Sequence, residues 1–132
     1  MSMTVRIEHV AMWVHDLEAM KEFYVKYFAA SPNERYQNPK GFSSYFLSFS
    51  DGARLEIMHM ASVAAALPPP DPDHPGFAHV ALSVGSQEQV NALTEQLRQD
   101  GFIVAGEPRT TGDGYYESVV LDPEGNQVEI TV

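Results

Sequence analysis

The chain has no cysteine, which excludes disulfides, thiolate metal sites and a cysteine nucleophile. That absence also fits a reducing, cytoplasmic setting. Basic residues are scarce: eight Lys and Arg stand against eighteen Asp and Glu, a formal net charge of −10. Nucleic acid and anionic membrane surfaces are poor partners for such a chain, because little positive charge is available to neutralise phosphates. No apolar run reaches the roughly 20 residues of a membrane span. The opening MSMTVRIEHV has no long apolar stretch and no secretory cleavage pattern. What is present is ample apolar material: 44% of the 132 residues are hydrophobic and 11% aromatic, enough for the interior of one compact domain or two small modules sharing a core.

Proline is concentrated in one place. Pro68, Pro69, Pro70, Pro72 and Pro75 are five of the nine prolines, and they make residues 61–76 a stiff connector that continues neither a helix nor a central strand. Before it, RIEHVAMWV over 6–14 reads as a strand. Asp16 caps a helix whose apolar stripe is Leu17, Met20, Tyr24 and Phe28. Residues 33–36 suggest a short second strand, and strands follow over 42–49 and 53–59 around the turn Ser50-Asp51-Gly52. After the connector the pattern restarts. Strands are expected over 77–84, 102–105, 115–121 and 127–132. Ser86 and Gln89 form a capping box, Val90, Leu93 and Leu97 an apolar stripe, and Gly101 a C-terminal cap. The order strand, helix, three strands thus occurs twice. It defines an α+β fold of two tandem βαβββ modules, about 4–60 and 77–132, in a single domain with a curved mixed sheet.

The repeat also duplicates chemistry. HVAMWV from His9 matches HVALSV from His79 at an offset of 70, and RLEIM around Glu56 matches QVEIT around Glu129 at an offset of 73. Strand alternation puts each His and Glu on the face opposite a run of apolar residues, so the ligand face lines a cavity. A lone His or Glu in a strand is ordinarily structural or solvated. Here the same two residue types recur at the same two positions. Two imidazoles and two carboxylates make a sensible donor set for Zn²⁺, Ni²⁺, Co²⁺ or Mn²⁺. Related positions in two halves of one fold commonly meet about a pseudo-twofold axis, which would bring His9, Glu56, His79 and Glu129 to one ion. His15, His59 and His74 have no repeat partner and are set aside. Glu117 is a second-choice pocket residue.

IEHVAMWVHDLE with FYVKYF, LEIM, FAHVALSV and the DPEGNQVEI tail resemble the vicinal oxygen chelate superfamily over nearly the whole chain. That superfamily includes glyoxalase I, bleomycin-resistance proteins, epimerases and extradiol dioxygenases. The resemblance maps the family's metal positions onto His9, Glu56, His79 and Glu129, the set associated with bacterial glyoxalase I. It implies a lyase or isomerase acting on an α-oxoaldehyde-derived substrate, with a divalent metal stabilising an enediolate. Glu129 and Glu56 are then the catalytic ligand and base candidates, and glutathione is a possible co-substrate. Trp13, Phe46, Tyr115, Tyr116, Glu117 and Arg54 would wall the substrate pocket. The resemblance also implies a homodimer, with the site closed within one chain or across two.

Three departures bear on the substrate. In well-studied relatives an Arg follows the first ligand by four residues, an Asn follows the second by four, and an Arg precedes the third by four. Here those positions are Trp13, Met60 and Pro75, none of which pairs with a carboxylate. Arg54, Lys40 and Arg109 are the basic residues left for an anionic substrate. The alternatives to a glyoxalase are a bleomycin-resistance type of binding protein, with or without metal, and an epimerase of the same superfamily.

Overall fold

In the computed structural model, residues 3–63 and 75–132 are described, so His74 and most of the proline-rich connector lie outside them. The chain divides into two compact units, Met1–Ala65 and Ala66–Val132. No helix among the described residues is long and apolar enough to cross a membrane.

The first unit runs β1 (His9–Trp13), α1 (Leu17–Phe28), β2 (Ser31–Pro32), β3 (Tyr36–Gln37), β4 (Ser43–Ser48) and β5 (Arg54–His59). Asp16 caps α1 by accepting the amide of Ala19 at 3.0 Å, and Ala29 closes it in the left-handed region. Leu17, Met20, Phe23 and Tyr24 are the buried residues of the helix. The sheet order is β1-β5-β4-β2, with β3 pairing β4; β1 runs parallel to β5 and the rest is antiparallel. The short strand expected over 33–36 is divided between β2 and β3. Between them Asn33 bonds β4 twice, its amide to the Phe46 carbonyl and its side chain to the Phe46 amide.

The second unit runs β6 (His79–Ser83), α2 (Gln87–Gln99), β7 (Val104–Thr110), β8 (Tyr116–Leu121) and β9 (Gln127–Thr131), in the sheet order β6-β9-β8-β7. Ser86 caps α2 by accepting the amide of Gln89 at 3.1 Å. Gly101 follows the helix with φ +93°, a conformation glycine adopts without a side-chain clash. The core face is built the same way in both units. Leu55 and Ile57 of β5 and Val128 and Ile130 of β9 are buried, so Glu56 and Glu129 between them point to the opposite face. The molecule is therefore α+β, the two tandem βαβββ modules expected from the sequence, and its described residues form two mixed sheets, each carrying one helix.

Candidate metal centre

Strand register decides which side chains meet. In the first unit the parallel pair β1/β5 sets His9 opposite Arg54 and Ala11 opposite Glu56. In the second, β6/β9 sets His79 opposite Gln127 and Ala81 opposite Glu129. Each His and its Glu are thus diagonal neighbours on one face, reproduced in both units. The His9 Nε2 to Glu56 Oε1 distance is 3.8 Å, and the His79 Nε2 to Glu129 Oε2 distance is 3.1 Å. Two donors bound to one Zn²⁺ at its usual bond lengths lie roughly 3.0–3.5 Å apart. The second pair falls in that range, as two adjacent ligands of a divalent ion would, and the first is wider. Among the described residues no group of three or more His, Asp or Glu side chains is placed to hold a metal ion.

The surroundings of the two pairs differ. Beside His9, Glu8 Oε1 lies 3.1 Å from Nδ1, and Arg54 donates to both Glu8 oxygens, at 2.5 and 3.2 Å. Arg54, and after it His9, hold the Glu8 carboxyl below the usual carboxylate range. The Arg54 guanidinium stacks 4.1 Å from the Phe46 ring centroid, and His9 meets the same ring edge-on at 5.2 Å. Phe46 lies opposite Glu56 in the β4/β5 register. Beyond it on β1, Trp13 is 52% exposed and packs edge-to-face on Phe42, which in turn touches Tyr36. The Trp13, Phe46 and Arg54 side chains of the sequence reading therefore share the His9–Glu56 face.

Beside His79 the neighbours are acidic. Glu129 is pushed up to about 7, first by burial and then by hydrogen bonding and repulsion from Glu117, with Asp113 adding to it. The β8/β9 register explains this: Val119 lies opposite Glu129 and Glu117 opposite Thr131, on the same face. Tyr115 is exposed at the turn before β8. Tyr116 departs from the expected pocket role. Its hydroxyl donates to Asn91 of α2 at 2.6 Å, on the helix side with Ser118 and Val120 rather than on the face of Glu129. His59, set aside above, has Nδ1 2.8 Å from the Val14 carbonyl, a structural bond between β5 and the end of β1.

The sequence model of the Glyoxalase/Bleomycin resistance protein/Dioxygenase superfamily matches residues 6–130. The chain belongs to this superfamily. Within it, one relative is the uncharacterised Bacillus subtilis protein YqjT, 26% identical over 131 residues, covering 94% of this chain and 96% of the relative. A possible glyoxalase from Bacillus cereus is 26% identical with a TM-score of 0.71, covering 98% of this chain and all of the other. Glyoxalase I from Zea mays shares the fold, with a TM-score of 0.75 at 21% identity; 96% of this chain matches 44% of that one.

Two features of this superfamily member were not found from its sequence. Glu8 directly precedes His9, but its bridge to Arg54 spans 46 positions and depends on the parallel register. The Tyr36–Phe42 extension of Trp13 depends on β3, which the sequence pattern barely marks.

Proposed function

We propose that the protein is a metal-dependent lyase or isomerase of the glyoxalase I type, acting on an α-oxoaldehyde-derived or similar substrate with two neighbouring oxygens. His9, Glu56, His79 and Glu129 would hold one Zn²⁺, Ni²⁺, Co²⁺ or Mn²⁺ ion, with the two units serving as modules of one domain. The observation that carries this reading is the His–Glu diagonal built identically by β1/β5 and β6/β9. When bound, the ion supplies Lewis-acid stabilisation of negative charge on the substrate oxygens. The chain's own residues do the rest. His9 and His79 bind through Nε2. Glu129 takes the proton from the carbon beside the carbonyl and returns it to the neighbouring carbon, while Glu117 shares that proton. Glu56 serves as a ligand and as the second base candidate. Phe46 and Trp13 flank the reacting group, and Arg54, on the same face, would meet an anionic substituent.

The working form would be a cytoplasmic homodimer, with glutathione as a thiol co-substrate. A ligand-sequestering protein of the bleomycin-resistance type is the second reading. The aromatic series Trp13, Phe42 and Tyr36 on the same face favours it, together with Trp13 and Met60 standing where glutathione-using relatives carry polar side chains. Elemental analysis of the natively purified protein, followed by methylglyoxal turnover with and without glutathione, separates the two. The lyase reading expects near-stoichiometric metal and a loss of roughly 10³-fold or more in kcat for Glu129→Gln. Metal-free protein without turnover would overturn it, and stoichiometric metal without turnover would keep the centre and discard the glyoxalase chemistry.

A further inference from the structure

We propose that Glu8, clamped by Arg54, is a positioning residue that holds His9 in its Nδ1–H tautomer and leaves the Nε2 lone pair on the side of Glu56. This rests on the reading of His9 as a metal ligand. A neutral imidazole can offer a lone pair at one nitrogen only when the other carries the proton. A carboxylate accepts but does not donate, so the 3.1 Å contact from Nδ1 to Glu8 Oε1 requires the proton to sit on Nδ1. Nε2 is then the free nitrogen, and it is the atom that faces Glu56 at 3.8 Å. A carboxylate behind a ligating imidazole is a recurrent way of fixing both ring orientation and basicity.

Glu8 is itself held in place. Its backbone carbonyl accepts the amide of Arg54 at 2.9 Å, extending the β1/β5 pairing by one step. Its carboxylate takes two bonds from the Arg54 guanidinium, which sits over the Phe46 ring. Phe46 in turn meets the His9 ring edge-on. Glu8, Arg54, Phe46 and His9 therefore close a ring of contacts that fixes the imidazole from two sides. The clamp belongs to the first unit alone. At the matching offsets of 70 and 73, Ala78 replaces Glu8, Gln127 replaces Arg54 and Val119 replaces Phe46. The repeat thus keeps the ligands and omits the clamp, which makes His79 a control within the same chain.

The test is long-range ¹H–¹⁵N correlation NMR of the metal-free, ¹⁵N-labelled protein at pH 8, with His9 assigned by His9→Gln. Wild-type His9 should show Nδ1 protonated and Nε2 bare. Glu8→Ala should move it toward the Nε2–H form usual for a free imidazole without altering the far-UV circular dichroism or the His79 signals. Glu8→Gln, which keeps an acceptor oxygen, should restore the wild-type pattern. Zinc affinity, read by competition with a chromophoric chelator, should weaken about tenfold in Glu8→Ala and less in Glu8→Gln. An Nε2–H tautomer in the wild type, or a His9 tautomer indifferent to Glu8→Ala, would overturn the proposal. A wild type that shows the Nδ1–H form but binds no zinc would overturn the metal reading and leave the hold of Glu8 on His9 standing.

Discussion

Glu129 carries the largest electrostatic perturbation on the ligand faces. Its carboxyl is raised to about 7 because burial and the neighbouring Glu117 both oppose its ionisation. In the unfolded chain the same group titrates near the ordinary glutamate value of about 4.3. The folded form therefore holds a proton that the unfolded form has lost over that window. The stability tied to this proton is fully present below about pH 4.3 and is lost as the pH rises to about 7. Thermal unfolding of chelator-treated protein should show its Tm falling between those values, and Glu129→Gln should flatten the fall. A Tm that rises through that window equally in both proteins would contradict the assignment. The two His–Glu pairs were legible from the sequence because the repeat marks the same positions twice. Of the partners that tune them, Glu117 and Arg54 were expected at the pocket, but Glu8 was not, and neither pairing was. Glu117 reaches Glu129, and Glu8 reaches Arg54, only through the strand register, which no residue pattern announces.

At the scale of elements, the helix starts were the most legible features because their signals are local. Asp16 and Ser86 each accept an amide three residues on. Asp16→Ala should cost about 1 kcal/mol in urea denaturation, the usual cost of a lost N-cap. The apolar stripes were less complete. Phe23 joins the buried side of α1, and Thr94 rather than Leu93 takes the fully buried place on α2. Thr94 escapes a hydrophobic pattern because it is polar, yet its hydroxyl donates to the Val90 carbonyl at 2.6 Å and sits 2.7 Å from Ser118 Oγ. With one Thr94 proton directed to Val90, Ser118 is the donor in that second bond. Thr94→Val should therefore cost about 1–3 kcal/mol by leaving the buried Ser118 hydroxyl without its acceptor, whereas adding Ser118→Ala should recover much of the loss. A double variant no better than Thr94→Val alone would place the cost elsewhere. Strand β7 extends well past the expected 102–105. Its register shifts, and Pro108 within it, break the alternation by which strands are read, and both are tolerated because β7 is the outermost strand of its sheet.

Across the whole molecule, the duplicated sequence has become two duplicated cores. Ile57 and Ile130 stand 73 positions apart, the offset that also relates Glu56 to Glu129, and neither has any exposed surface. Ile57 lies opposite Tyr45 and Met12 in the first sheet, and Ile130 lies opposite Ser118 and Leu82 in the second. Each is adjacent in sequence to the carboxylate of its unit, so the residue that anchors the strand to the helix side also fixes the Glu on the other side. Truncation at either place removes buried methylenes and leaves a cavity, a change that typically costs about 2–5 kcal/mol. Ile57→Ala and Ile130→Ala should each fall in that range by urea denaturation, and their effects should add to within about 0.5 kcal/mol, because each acts within the packing of its own unit. Strong non-additivity would mean that the two isoleucines stabilise one shared core. The carboxylates provide a second readout of the same pair. Ile57→Ala should loosen Glu56 and leave the titration of Glu129 near 7, whereas Ile130→Ala should loosen the part of β9 that holds Glu129 beside Glu117 and lower its pKa toward the ordinary range, as carboxylate ¹³C shifts followed against pH would show.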